Sequence, residues 1–127
     1  MEAVVATNDT PAVGQEWSGG VYVGITVDNG QPAHLIVLPE EFNGTWAKAG
    51  AWAAKQDAVL PSRFDLLVMF QQRAALKIDD GWYWSAESHH EDAEYAWCQT
   101  FGTGGQGSDH KGINDRARAV RRLVVIK

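Results

Sequence analysis

The chain has 127 residues, 45% of them hydrophobic and 21% charged, and carries a formal net charge of -5 at pH 7. That length suits one domain with an ordinary hydrophobic core; the composition excludes a disordered chain, and the acidic balance argues against nucleic acid as the partner. No apolar run reaches the length of a bilayer, and the single cysteine, Cys98, excludes an internal disulfide framework.

Residues 1–15 are small, polar and Pro-containing, which predicts an extended N-terminal arm ordered by a neighbouring subunit. They carry neither the apolar core nor the basic flank of a signal peptide. The domain is expected over residues 16–127. Val21, Val23, Ile25 and Val27 alternate with Tyr22, Gly24 and Thr26, the period of a half-buried strand. Asp28-Asn29-Gly30 then predicts a tight hairpin, with Leu35 to Leu38 as its buried return strand. Pro39 is expected to end that ladder, because it has no N–H to donate.

After Asn43 or Thr45 as a cap, Trp46, Ala49 and Ala53 recur on one helical face, with Gly50 in the place between them. Small residues on that face suit close packing against a sheet. Ser62 is placed as an N-cap with Asp65 three residues on, the spacing of a capping box. Leu66, Leu67, Phe70 and Ala74 predict the apolar stripe of this second helix, and Asp79-Asp80-Gly81 breaks it. Strands are expected at Trp82 to Glu87, Tyr95 to Phe101 and Ala117 to Val125, joined by loops at Ser88 to Glu94 and Gly102 to Asp115, the latter Gly-rich and mobile. Two strands, two helices and a meander of strands make an α+β domain. Acidic residues crowd the middle (Asp79, Asp80, Glu87, Glu91, Asp92, Glu94) and basic ones the end (Lys111, Arg116, Arg118, Arg121, Arg122, Lys127), which predicts pairing across adjacent strands.

Several side chains invite a chemical reading. Alternation puts Trp82 and Trp84 on one side of their strand, and Tyr83, Ser85 and Glu87 on the other. His89-His90-Glu91-Asp92, with His110, has the residue types of a metal site. Adjacent histidines on an extended segment point apart, however, so a solvated loop is expected there, with no metal and no cofactor. Cys98 is expected to be packed rather than reactive. The spacing of Glu87, His89, His90 and Asp109 matches no catalytic signature, and no phosphate loop, dinucleotide fingerprint or nucleophile elbow is present, so no enzyme is expected. Arg118 and Arg121 fall on opposite faces of their strand, so at least one is expected inside, paired with an acidic residue.

From Gly24 to Arg122 these blocks follow one order: a Gly-Ile hairpin, a Trp/Ala helix, Leu60-Pro61-Ser62-Arg63 opening a second helix, Tyr83-Trp84-Ser85-Ala86-Glu87, Ala96-Trp97 with Phe101, and Arg118-Ala119-Val120-Arg121. That order resembles the Legionella collagen-like protein C-terminal domain family, common in bacteria and prophages. The family is similar in turn to the C-type-lectin-like fold of formylglycine-generating enzymes and of retroelement-diversified proteins, phage receptor-binding tips among them. The chain departs from these relatives in four ways. Ala86 stands for a usual serine, the Gly-rich loop lacks an Asn-rich run, the redox cysteine pair is absent, and so are the Glu-Pro-Asn or Gln-Pro-Asp and Trp-Asn-Asp calcium motifs. Neither active diversification, formylglycine chemistry nor calcium-dependent sugar binding is therefore expected.

The resemblance implies a single α+β, C-type-lectin-like domain with two helices packed on short, mostly antiparallel strands. Trp84, Glu87, Trp97, Phe101 and Arg118 would form its structural core. Ser88, His89, His90, Glu91, Asp92, Tyr95, Gln99, Gln106, Asp109 and His110 would face a ligand. The expected function is a non-catalytic binding or structural module, a phage- or prophage-encoded virion component of tail, receptor-binding or decoration type. Its expected partners are sister subunits in a homo-oligomer or the phage particle, with neither nucleic acid nor membrane insertion involved. Two alternatives stand beside it: an adhesin tip binding a host surface glycan, in keeping with relatives that bind sulfated glycans, and a metal-dependent enzyme of the formylglycine-generating-like superfamily. The expected location is the virion for a phage-encoded chain and otherwise the cytoplasm.

Overall fold

The computed structural model describes residues 10–125. The expectation of an extended arm therefore falls mostly outside the described residues, and what is described of it is tied down: Gly14 N donates to Tyr22 O, and Tyr22 N donates to Gln15 O. Among the described residues, no helix is long and apolar enough to cross a membrane.

Among the described residues, seven strands form one mixed sheet: β1 (Glu16–Trp17), β2 (Gly20–Asp28), β3 (Gln31–Gly44), β4 (Trp82–Ser88), β5 (Tyr95–Thr100), β6 (Gln106–His110) and β7 (Asp115–Val124), with helices α1 (Trp46–Ala54) and α2 (Arg63–Gln71) between β3 and β4. The spatial order is β1-β2-β3-β7-β4-β5-β6. Neighbours are antiparallel except β4 and β7, which run parallel. Consecutive residues of a strand face opposite sides, and the two helices use both. α2 buries Leu66 and Met69 against Val37, Tyr83 and Val120; α1 buries Ala49 and Ala53 against Leu38, Trp84 and Ala119. The sheet is the middle layer of three.

The hairpin forms at the expected residues. Asn29 and Gly30 both have positive φ, 50° and 79°, as a type I′ turn demands, and Asp28 pairs with Gln31 across it. The alternation read for β2 does not survive. A bulge between Tyr22 and Gly24, with Gly24 at φ 121°, switches the facing of everything beyond it. Ile25 and Val27 therefore point outward, and Thr26 turns into the core.

Pro39 does not end β3. The strand continues to Gly44 through an irregularity between Val37 and Glu41, where a missing N–H breaks no ladder bond. In α2 the capping box is present, Ser62 and Asp65 each accepting from the other's backbone N–H. Its buried stripe is Leu66 and Met69, not Leu67 and Ala74: Leu67 is exposed, and Ala74 lies beyond the helix end at Gln71.

The closing strand is the main departure from a meander, because β7 inserts between β3 and β4 at the centre of the sheet. Arg118 is buried there opposite Glu41 of β3, whose charge acts on it, but among the described residues it forms no ion pair and spends its hydrogen bonds on carbonyls. Its Nε and Nη2 donate to Leu38 O at 3.1 and 2.8 Å, and Nη1 donates to Leu76 O at 3.0 Å. Burial lowers its pKa. Nor, among the described residues, which leave out Lys127, do the acidic middle and the basic end form ion pairs, although Arg116 feels the Asp79 charge behind the larger effect of Tyr83. Arg116 donates to the backbone carbonyl of Asp80 and Lys111 to Ser88 Oγ and Ala93 O. Arg121 donates to Asp57 O and Gln56 O, and Arg122 pairs with Asp65 on α2.

His34 marks a pH-sensitive point of the core. Its Nδ1 lies 2.6 Å from Tyr22 Oη, and Trp17 packs edge-on against both rings. Burial lowers the His34 pKa below its ordinary 6.5. The neutral ring's contribution is therefore complete above the unfolded pKa and is lost as pH falls through the folded one. Melting temperature is expected to fall on acidification below about pH 6.5 more steeply in the wild type than in His34→Gln; parallel curves would show that His34 is not the group responsible.

Candidate functional site

The β5–β6 ribbon forms one edge of the sheet and has two unlike faces. Tyr95 pairs with His110, Trp97 with Ser108 and Gln99 with Gln106, so these six share a face. Ala96, Cys98, Gly107 and Asp109 belong to the other.

On the first face a column of flat groups is stacked. The Arg63 guanidinium lies 3.6 Å from the Trp97 ring centre. His89 stacks on Trp97 at 4.9 Å, and His90 on His89 at 4.8 Å. Arg63 reaches this place because the Ser62 cap starts α2 there, and its surroundings hold it. Its backbone N–H donates to Glu87 Oε2 at 2.8 Å, its Nε donates to Gln106 Oε1 at 2.9 Å, and its carbonyl accepts from Gln106 Nε2 at 2.8 Å.

Short-range bonds shape the loop after β4. His89 N donates to Tyr95 O and Tyr95 N to Asp92 O; Glu91 N donates to His89 Nδ1 and Glu94 N to Asp92 Oδ1. Lys111 Nζ crosses to Ser88 Oγ and Ala93 O, both at 2.6 Å. Tyr95 meets His110 edge-on, and Glu94 lies 3.8 Å from His110 Nε2. A cleft of about 210 Å³ opens between His89, Asp92, Tyr95 and Ser108.

The structure corrects several expectations. Trp97, read as core, is only half-buried, and its ring meets His89 and the Arg63 guanidinium. Glu87, also read as core, is exposed and accepts the Arg63 N–H. Gln99, read as facing a ligand, is fully buried: its Nε2 donates to Leu66 O at 2.7 Å and its Oε1 accepts from Gln106. Gln106 is half-buried and spends its amide on Arg63 and Gln99. Asp109 lies on the opposite face from the stack. The segment from Gly102 to Asp115 is not a mobile loop, since β6 occupies its centre.

The His89 and His90 rings do not point apart. They lie nearly parallel, 11° apart, because β4 ends at Ser88 and strand alternation ends with it. Ser88, His90, Glu91, Asp92, Tyr95 and His110 are exposed and His89 is half-buried, whereas Trp84, Phe101 and Arg118 are buried. Arg63 escaped the sequence reading. Its one signal was its place directly after the Ser62 cap.

No protein-family model matches the chain, and no curated protein matches it. The site therefore rests on its own geometry.

On the second face of the ribbon, Cys98, Asp109 and the first residue of β7, Asp115, converge. Cys98 Sγ lies 3.6 Å from both Asp109 Oδ2 and Gly107 O. Burial raises the Cys98 thiol pKa, and the nearby Asp109 and Asp115 charges raise it further, so the free thiol is not activated. Burial first, and then a hydrogen bond to Asp109, push the Asp115 carboxyl up to about 8. The ribbon thus offers a fixed, mixed-charge surface on one side and a thiol–carboxylate cluster on the other.

Proposed function

We propose that this chain is a non-catalytic, C-type-lectin-like binding module of a phage- or prophage-encoded particle, which assembles with sister copies along the edge of β6. The observation that carries the reading is the open edge itself. Lys111 N donates to Glu94 O and Thr100 N to Gly105 O. Between those two anchors the antiparallel ladder alternates, so Asp109 and Gly107 face β5 while Gln106 and Ser108 turn their backbone groups outward, as does the His110 N–H; the His110 carbonyl accepts from Ile113 N. Such an edge is a template for another strand.

A second copy suits this edge. Antiparallel pairing centred on Ser108 sets Gln106 against the partner's His110 and Gly107 against the partner's Asp109, and no like charges meet. The two helices followed by antiparallel strands support the lectin-like layout, and the stack of Arg63, Trp97, His89 and His90 would stand beside the joint as a stiff recognition surface. The Trp97 ring is already engaged by Arg63 and His89, which favours a protein partner over a sugar ring.

Sedimentation velocity tests the reading. The wild type is expected to self-associate as its concentration rises. Ser108→Pro removes an N–H that points away from β5, so it is expected to leave the fold intact and the chain monomeric. A monomeric wild type, or a Ser108→Pro variant that associates equally well, would defeat the proposal. A second reading has one observation in its favour, the cleft between His89, Asp92, Tyr95 and Ser108, where aromatic rings stand beside a carboxylate and a hydroxyl. It supports glycan binding, and glycan-array signal abolished by Tyr95→Ala or His90→Ala would establish it.

A further inference from the structure

The second face of the β5–β6 ribbon carries an arrangement that the binding role does not use. Cys98 Sγ and one carboxylate oxygen each from Asp109 and Asp115 lie within 4.8 Å of one another. Ligands of a tetrahedral zinc-type ion, bonded at about 2.0–2.3 Å, stand roughly 3.3–3.8 Å apart. Cys98 Sγ and Asp109 Oδ2 are already at 3.6 Å, so a rotamer adjustment of about 1 Å at Asp115 completes the set. The three residues come from three strands, β5, β6 and the start of β7, which hold them on stiff backbone.

A second observation suits a cation. Asp115 Oδ2 is sealed from solvent and has no hydrogen-bond partner. No ion pair among the described residues reaches Asp115 or Asp109, and the nearest side chains add a carboxylate and a thiol rather than a donor cation. The carboxyl is held there by its hydrogen bond to Asp109, and a divalent ion can take over both carboxyls in exchange for the proton they share. A divalent ion would balance most of the charge of two carboxylates and a thiolate.

We propose that Cys98, Asp109 and Asp115 form a binding site for a divalent transition-metal ion of the zinc class. The thiolate selects against calcium and magnesium, which take oxygen ligands. Three protein ligands leave a fourth position for water or for a group from a partner. Binding replaces the proton of the Cys98 thiol, which passes to solvent, and any proton held between the two carboxylates. The loop histidines take no part, and the site stands whether or not β6 joins copies.

Cobalt(II) added to the metal-free chain is the test, because it reports its own ligands. One equivalent is expected to produce a thiolate-to-cobalt charge-transfer band in the near ultraviolet and tetrahedral bands in the visible, displaced by zinc. Cys98→Ser should abolish the charge-transfer band. Asp115→Asn, which keeps the shape of the side chain and guards against loss of the fold, should weaken binding by about tenfold or more. His89→Ala and His90→Ala should leave the spectrum unchanged. The absence of the band in the wild type, its persistence in Cys98→Ser, or its loss in the histidine variants would overturn the proposal.

Discussion

Asp65→Ala is expected to destabilise the domain by about 3–5 kcal/mol, the cost of leaving a buried charge without its partner. Asp65 is completely buried and ties three elements together. One carboxylate oxygen accepts from Thr26 Oγ1 on β2. The other accepts from the Ser62 backbone N–H at the start of α2, at 2.9 Å, and from Arg122 on β7. The bulge at Gly24 is what turns Thr26 toward this carboxylate. Without Asp65, the Arg122 guanidinium, whose Nε is buried and unpartnered already, would lose its counter-charge. The backbone cap of α2 would go with it. Asp65→Asn keeps the volume but not the charge, so it should fall between the wild type and alanine. Urea unfolding measures both. A loss of only about 1 kcal/mol in Asp65→Ala would mean that the residue is a helix cap and nothing more.

Trp84→Ala should cost about as much, roughly 3–5 kcal/mol. The Trp84 ring is fully buried, and its Nε1 donates to Gly44 O at 2.9 Å. Ala49, Ala53, Ala117, Ala119 and Cys98 belong to the same core cluster. Small side chains cannot swing into the space a lost indole leaves, so collapse around the cavity is limited and the upper part of the range is expected. Trp84 also pairs with Cys98 across β4 and β5, so the variant should loosen the ribbon that carries the candidate site. Trp82 is the internal control. It lies on the same side of β4 but is 42% exposed and rests against Gly107. Trp82→Ala should therefore cost well under half as much, and equal losses at the two positions would contradict the layer assignment.

Part of the candidate site was legible in the residues and part was not. The segment from Ser88 to Asp92 and Tyr95 reads as polar and lies at the surface, as a run of His, Glu and Asp should. The partners that make it a site come from elsewhere. Arg63 arrives from the start of α2, some two dozen residues earlier, and Gln106 from β6. Gln99 looks like any polar strand residue until β6 and α2 close over it, offering Gln106 and the Leu66 carbonyl in place of water. Burying an amide is tolerable only once both of its ends are satisfied, and such satisfaction belongs to the assembled fold. The Cys98, Asp109 and Asp115 cluster is likewise invisible in the sequence, where its members lie eleven and six residues apart on three different strands.

What the sequence alone determined is local: the Asn29-Gly30 turn, the Ser62–Asp65 capping box, the small buried face of α1 and the run from Leu35 to Leu38. Each depends on backbone preferences and hydrogen bonds within a few residues, so each is written where it acts. Only the tertiary structure decided which face of β2 is inside, that β3 passes through Pro39, that Arg118 satisfies two carbonyls rather than a carboxylate, and that the last strand lies at the centre. A bulge costs little locally yet reverses every side chain after it, and the place of a strand in a sheet depends on which neighbours complete its ladder and bury both of its faces. Those are sums over the whole chain, and no single segment contains them.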